Sequence, residues 1–436
     1  MAKSIERGLW ELYRDDPEKA DRLLLGADAR LGRRQILTGA GAAALGGLVG
    51  ATVPFGRNFQ SGVMPAALAD EAASVVVDGK DGLTLLNDKP LNMETPAHLL
   101  DPHITPVDKF FVRNNGLLPE TIGEADQWKL AIDGEVNDPL EITLGDLKSS
   151  FEVVTREGQL ECGGNGRSFF DPPVRGNQWG LGAIGNGSWT GVRLKDVLAR
   201  VGVKDSAVYT AHYSADIHLS YDDTKRPISR GVPIEKAMDD TVLLVWAMNG
   251  EPLPLLHGAP LRLLVPGWTG SCSQKWLNRI QIRDQVHDGA KMTGFSYRLP
   301  KYPVAPGTEV PKDDMAIMTA MIVKSLITTP QTKTQTALAE PLQVRGHAWA
   351  GDAAVSRLDV SIDFGATWSP AALAPAANQG GWQSWETAIQ FPIAGYYEVW
   401  ARATDEHGRA QPALVPGWNP KGYQNNAQHR VAVTVV

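Results

Sequence analysis

Leu160-Glu161-Cys162-Gly163-Gly164-Asn165-Gly166-Arg167-Ser168 places a thiol in a glycine-rich bend, with an Asn and an Arg close behind it. Glycine lets a backbone turn where a side chain would clash, and lets a bulky group approach closely. A neighbouring Arg favours the thiolate, and a thiolate is a good ligand for a soft, high-valent metal. Further on, Arg175, Trp179, Trp189 and Arg193 keep cations and aromatics concentrated around this one Cys. A buried structural Cys on a glycine-rich loop would look similar, and residue chemistry alone leaves both readings open.

The chain holds two cysteines, Cys162 and Cys272, far apart in sequence. No Cys-x-x-Cys, Cys-x-x-Cys-His or four-Cys pattern exists, which argues against zinc ribbons, iron–sulfur clusters and covalent haem. The count permits a disulfide. A metal ligand plus a lone thiol is the preferred reading, because only Cys162 sits in a ligand-like setting. Electrons collected by this chain would then have to leave to another protein.

With 436 residues, 43% hydrophobic and 21% charged, the composition is that of a globular protein too long for one ordinary core. Two domains are expected. The 44 Gly and 29 Pro favour turns and strands over long helices.

Residues 1–69 are set apart as a signal region. Gly32-Arg33-Arg34-Gln35-Ile36-Leu37-Thr38 is a twin-arginine pattern, followed by a weakly apolar Ala/Gly run and by small residues at Ala67 and Ala69. The run is too short and glycine-rich to read as a spanning helix. An anchor or a cytosolic amphipathic extension is the competing reading. The expectation is export of a folded protein to a bacterial periplasm, with no membrane span in the mature chain. Of 42 Lys and Arg and 49 Asp and Glu, 9 and 7 lie in residues 1–69, which leaves residues 70–436 at −9. That balance excludes general nucleic-acid binding and permits a basic soluble partner.

Beyond the Cys162 bend, Trp179-Gly180-Leu181-Gly182-Ala183-Ile184 and Trp189-Thr190-Gly191-Val192-Arg193-Leu194 complete a stretch that resembles the molybdenum-binding centre of the sulfite oxidase family. The resemblance extends over residues 95–436. It implies that Cys162 ligates molybdenum carried by a molybdopterin, and that Arg167 is a cation facing an oxyanion. Phe110-Phe111-Val112-Arg113-Asn114-Asn115 resembles the family's cofactor-contacting stretch, with Arg113 in the anion pocket and Asn115 where the family often has His. Asp216 matches a carboxylate that accepts from the pterin, and Asp222 is a competing assignment. His257, Arg262, Ser273, Gln274 and Lys275 resemble the pterin and phosphate block; an Arg fork and a Lys ammonium suit a terminal phosphate.

From about Thr319 onward, 358–362 and 397–403 alternate with period two, and Asp363-Phe364-Gly365 and Asp405-Glu406-His407-Gly408 mark turns. This predicts a sandwich of immunoglobulin type. The expected fold is α+β and mostly β: a mixed α/β molybdopterin domain over 70–318, then an immunoglobulin-like domain over 319–436 that in the family mediates homodimerisation.

The resemblance implies an enzyme performing oxygen-atom transfer to sulfur, with electrons passing to a c-type cytochrome. Two departures bear on the substrate. The family's active-site Tyr is matched by Trp246, and a C-terminal Arg by Lys421. Trp179 and Trp246 are expected to wall the pocket, with Lys421 as its third cation. These substitutions resemble the sulfane dehydrogenase branch, whose substrate is a sulfane sulfur on a carrier protein; free sulfite is the alternative. An exported, non-enzymatic binding protein is the reading from another class, and it would have no use for Cys162 or the Arg/Lys set.

Overall fold

The computed structural model describes residues 77–436; the twin-arginine pattern and the Ala67/Ala69 site lie outside the described residues. Strand far outweighs helix among those described, where three short α-helices occur at Leu144–Ser150, Leu194–Val201 and Ile234–Ala237. None of these helices is long and apolar enough to cross a membrane.

Local chemistry accounts for the element ends. The Thr143 hydroxyl accepts from the Asp146 N–H at 3.1 Å, so the strand Leu140–Thr143 passes directly into a capped helix. Leu194–Val201 stops at Gly202, whose φ of +66° closes the last turn at little cost.

Two sheets carry the first half. One pairs Val153–Glu161 with Ile184–Arg193 along nine residues, then adds Leu243–Met248, which also pairs with Arg262–Leu264. The other orders Leu140–Thr143, Lys129–Gly134, Leu277–Arg283 and Tyr209–Ser214, with one parallel pair at its centre. A three-stranded sheet of Thr84–Asp88, Leu91–Glu94 and Val112–Arg113 lies upstream.

The second half packs Lys324–Thr329, Leu342–Trp349, Gln383–Ile389 and Ala372–Leu373 against a five-stranded sheet centred on Gly395–Asp405. Inward residues such as Val344, Trp385, Val399 and Val433 share one core, as the period-two pattern predicts. This is the expected mostly-β, immunoglobulin-like sandwich.

The two halves belong to one compact unit. Leu100 and Ile184 from the first join Leu326, Trp349 and Trp382 from the second in a shared apolar cluster. Beneath it lies an ion pair closed to solvent. Glu161 and Lys324 meet at 2.9 Å with side chains 0% and 5% exposed. The other Glu161 oxygen accepts from the Trp349 indole at 2.7 Å, and Asn165 donates to the first at 3.0 Å. The sandwich thus grips the residue immediately before Cys162.

Candidate active site

A cavity opens where the strand Val153–Glu161 ends. Cys162 is buried there, its N–H donating to the Ala183 carbonyl at 2.9 Å. The chain then curls: Asn165 N–H reaches the Cys162 carbonyl at 2.8 Å, and Gly166 sits at φ +92°. A side chain at Gly166 would be strained and would also strike Asn425.

Arg113 faces the thiol from the short strand Val112–Arg113. Its guanidinium donates to Asn115 Oδ1 at 2.9 Å, to Asn92 Oδ1 at 3.3 Å, and to the Asn114 carbonyl. Burial opposes its charge, but Tyr297, Cys162 and Tyr423 around it more than compensate, holding its pKa above the ordinary arginine value. Tyr297 lines the same wall, with its hydroxyl 3.5 Å from the Asn115 amide.

The other end of the cavity is basic. Lys275 Nζ donates to Asn114 Oδ1 at 2.7 Å and to the Leu256 carbonyl at 2.6 Å. Arg262 donates to the His257 carbonyl at 2.8 Å and lies over the Trp189 ring. His257 Nε2 is 2.7 Å from Lys80 Nζ. Burial first, and then the repulsion of neighbouring cations, pushes Lys275 and His257 well below their ordinary values. Burial takes Lys80 down to about 7, with Asp108 opposing and Lys109 adding a little. Burial alone takes Arg262 down to about 9. One carboxylate, Asp216, lines this cavity. Burial raises the Asp216 pKa, while the Ser214 hydroxyl, donating at 2.6 Å, works the other way.

Among the described residues, Arg262 Nε, Asn114 Nδ2, Ser271 Oγ, Thr269 Oγ1 and Gln274 Oε1 are buried without a hydrogen-bond partner. Four of these five residues belong to the cavity's pterin-side block or its flanking turn, and such atoms are costly unless a polar ligand meets them. A pterin supplies both donors and acceptors, and its phosphate would offset the basic cluster. The residues present therefore fit a molybdopterin, with Cys162 the thiol placed to ligate its metal. No group of three His, Cys, Asp or Glu able to hold a metal stands together among the described residues, so the remaining ligands would be the cofactor's.

The cavity brings together Phe111, Arg113, Asn114, Asn115, Cys162, Asp216, His257, Arg262, Ser273, Gln274 and Lys275. Asp222 instead bonds Thr224 and Lys225 in a loop outside it, which favours Asp216 as the pterin partner. Ser273 acts on the backbone, its hydroxyl accepting from Val265 N–H at 2.9 Å.

Five expected positions lie elsewhere. Val112 points away into a cluster with Leu83 and Met93, because strand alternation sends it opposite Arg113. Trp246 is corrected for the same reason. Leu243 and Val245 face the cavity-side core, so Trp246 turns to the opposite face, where Lys148 lies 5.9 Å from its ring. Trp179 is fully buried one layer back, edge-on to Phe111. Arg167 donates to the Lys421 and Asn177 carbonyls and lies over the Tyr423 ring, behind the wall. Lys421 meets Arg167 through its carbonyl and is not among the residues that line the cavity, which corrects its expected place as the pocket's third cation.

Lys80 and Tyr297 carry no sequence signal that marks them for the site. Lys80 lies just past the signal region with no motif around it. Tyr297, at φ +52°, belongs to an irregular loop with no periodicity to mark it. The hydroxyl that Trp246 lacks is thus present in the pocket, on a different segment.

Beside the Trp179 loop, the Glu94 carboxyl faces the N–H groups of Gly180 and Gly182. Burial outweighs these donors and raises its pKa to about 7. The folded state prefers the proton, so this contribution is fully present below the ordinary value near 4.5 and is lost as pH rises through about 7. Glu94→Gln should flatten that slope and stabilise the chain by on the order of 2–3 kcal/mol at about pH 8. Unfolding of both proteins at about pH 5 and about pH 8 checks this; parallel curves would refute it.

The architecture and cavity define a molybdopterin-binding oxidoreductase fold. The chain matches the oxidoreductase molybdopterin binding domain over residues 116–291 and the Mo-co oxidoreductase dimerisation domain over 315–436. It is 33% identical to sulfite oxidase of Gallus gallus over 367 residues, 80% of this chain and 77% of that one. It is equally identical to mitochondrial sulfite oxidase of Drosophila melanogaster over 376 residues, 80% and 62% of the two chains. The chain belongs to the sulfite oxidase family. Its fold is also similar to the sulfane dehydrogenase SoxCD from Paracoccus pantotrophus, with TM-score 0.66, 28% identity, and coverage of 88% of this chain and 95% of that one. The chain spans 62–77% of the length of such curated sulfite oxidases.

Proposed function

We propose that the protein oxidises a reduced sulfur compound in the periplasm and passes the electrons to a c-type cytochrome. The observation that carries this reading is the cavity-lining thiol of Cys162 facing Arg113 and Tyr297, with the basic cluster at the far end of the same cavity. When bound, the molybdenum cofactor supplies two-electron oxygen-atom transfer, with water as the oxygen source. For sulfite the balance is sulfite plus water to sulfate, two protons and two electrons.

This chain's own residues do the rest. Arg113 neutralises the incoming anion, and the Asn92, Asn114 and Asn115 oxygens hold its fork toward the thiol. Tyr297 offers a hydroxyl on the same wall. His257, Arg262, Lys275 and Lys80 would hold the phosphate, while Asp216 and Gln274 meet the ring system.

Free sulfite is favoured by Tyr297, since the expected loss of the pocket hydroxyl does not hold. Likeness to a sulfane dehydrogenase supports the second reading, a sulfane sulfur on a carrier protein. The sandwich matches a dimerisation domain, and a homodimer fits it. The twin-arginine pattern supports export.

Purified holoprotein should contain one molybdenum per chain and reduce a c-type cytochrome with sulfite. If only a thiol-bound sulfane conjugate does so, the second reading stands; molybdenum-free, inactive protein refutes both. Arg113→Gln should lower kcat/KM about 10- to 100-fold, on the order of 1.4–2.8 kcal/mol. Trp246→Tyr, on the far face of its strand, should stay within about 3-fold; a larger change would return Trp246 to the site.

A further inference from the structure

Behind the Tyr297 wall lies a charge that neither the family resemblance nor the cavity lining singles out. Arg230 is 0% exposed, and among the described residues no carboxylate pairs with it. One of its terminal nitrogens donates to the Lys291 carbonyl at 3.1 Å, the other approaches Cys272 Sγ at 3.8 Å, and Nε has no partner. Its guanidinium carbon is 4.8 Å from the Tyr297 ring centre. Tyr297 stacks on Tyr423 at 5.7 Å with planes 9° apart, and the Arg167 guanidinium lies 5.2 Å from the Tyr423 ring.

The order is cation, ring, ring, cation. Burying a guanidinium without a counter-ion is costly, and a ring face offsets only part of that cost. Such a charge persists where a nearby anion, bound during function, is stabilised by it. Arg230 and Tyr423 take the two faces of the Tyr297 ring, so it is the edge of the ring that lines the cavity with Arg113 and Cys162.

We propose that Arg230 is a positioning residue for anion binding, adding positive potential to the Cys162 end of the cavity from beside the lining residue Tyr297. The proposal rests on the reading of that end as the substrate pocket. Arg113 contacts the anion, while Arg230 acts through space from behind the cavity lining. Its effect therefore falls on affinity and leaves the turnover of bound substrate nearly untouched.

The test uses full-chain holoenzyme and inorganic sulfate as the probe, its dissociation constant measured by calorimetry at fixed ionic strength. Arg230→Met should weaken sulfate binding about 10-fold, the scale of a unit charge some 10 Å away at an effective dielectric of about 20. The KM for sulfite should rise similarly, with kcat within about 3-fold. Arg230→Lys keeps the charge and should stay within about 3-fold of wild type in sulfate affinity.

Unchanged affinity in Arg230→Met at full molybdenum content overturns the proposal. If that variant does not accumulate, a 10-fold loss of sulfate affinity in Arg230→Lys, by the same scale, overturns it instead. A wild-type enzyme that oxidises no sulfur compound refutes the functional reading. Weaker sulfate binding in Arg230→Met would still uphold the role of Arg230 in that case.

Discussion

Cys162→Ser is expected to abolish nearly all turnover, with a loss of about 1,000-fold, or on the order of 4 kcal/mol of transition-state stabilisation. A serine hydroxyl is a hard, weak ligand, whereas the cysteine sulfur is soft and lies beside the Arg113 guanidinium. Folding should survive, because Ser nearly matches Cys in volume and the Cys162 backbone bonds to Ala183 and Asn165 are unaffected. Molybdopterin should remain bound, since its phosphate would be held at the basic end. Steady-state rates at measured molybdenum and pterin content check this; near wild-type activity at full loading would refute the ligand assignment. Cys272→Ser, by contrast, alters a thiol buried in the apolar core and should cost far less activity.

The second large effect is on stability. Lys324→Met removes the cation from Glu161, which has 0% side-chain exposure, and is expected to cost about 3–5 kcal/mol because the carboxylate remains buried without its partner. The Trp349 and Asn165 donors soften the loss without neutralising the charge. Glu161→Gln combined with Lys324→Met removes both charges and should recover most of the deficit. Denaturant unfolding of the two variants, compared through a double-mutant cycle, supplies the measurement. A Lys324→Met variant within about 1 kcal/mol of wild type would show that the pair contributes little. Since Glu161 immediately precedes Cys162, weakening this clamp should also loosen the ligand loop. A falling pterin content in Lys324→Met, recovered in the double variant, is the expected signature.

The local chemistry of this protein was legible in its sequence wherever a motif or a period carried it. The Cys162 bend is readable because glycines, a thiol and an Arg within a few residues leave few backbone options. The helix capped at Thr143 and the period-two strands of the sandwich follow from short-range rules. Most of the pterin-side residues, from His257 to Lys275, lie on one hairpin and the turn beyond it, so their closeness in sequence survives as closeness in space.

Tertiary structure decided what depends on facing. Trp246 and Val245 are neighbours on one strand, and only the packing of sheets determines which of the two looks into the cavity. Lys421 carries a charge in sequence, yet the fold uses its carbonyl. Tyr297 and Arg230 are separated by 67 positions and come within 4.8 Å, and Glu161 meets Lys324 across 163. Neither pairing leaves a local trace, because a buried ring or charge finds its partner through the packing of distant segments. The amino-acid order specified the chemistry available to the pocket; the three-dimensional packing selected which of those groups face it.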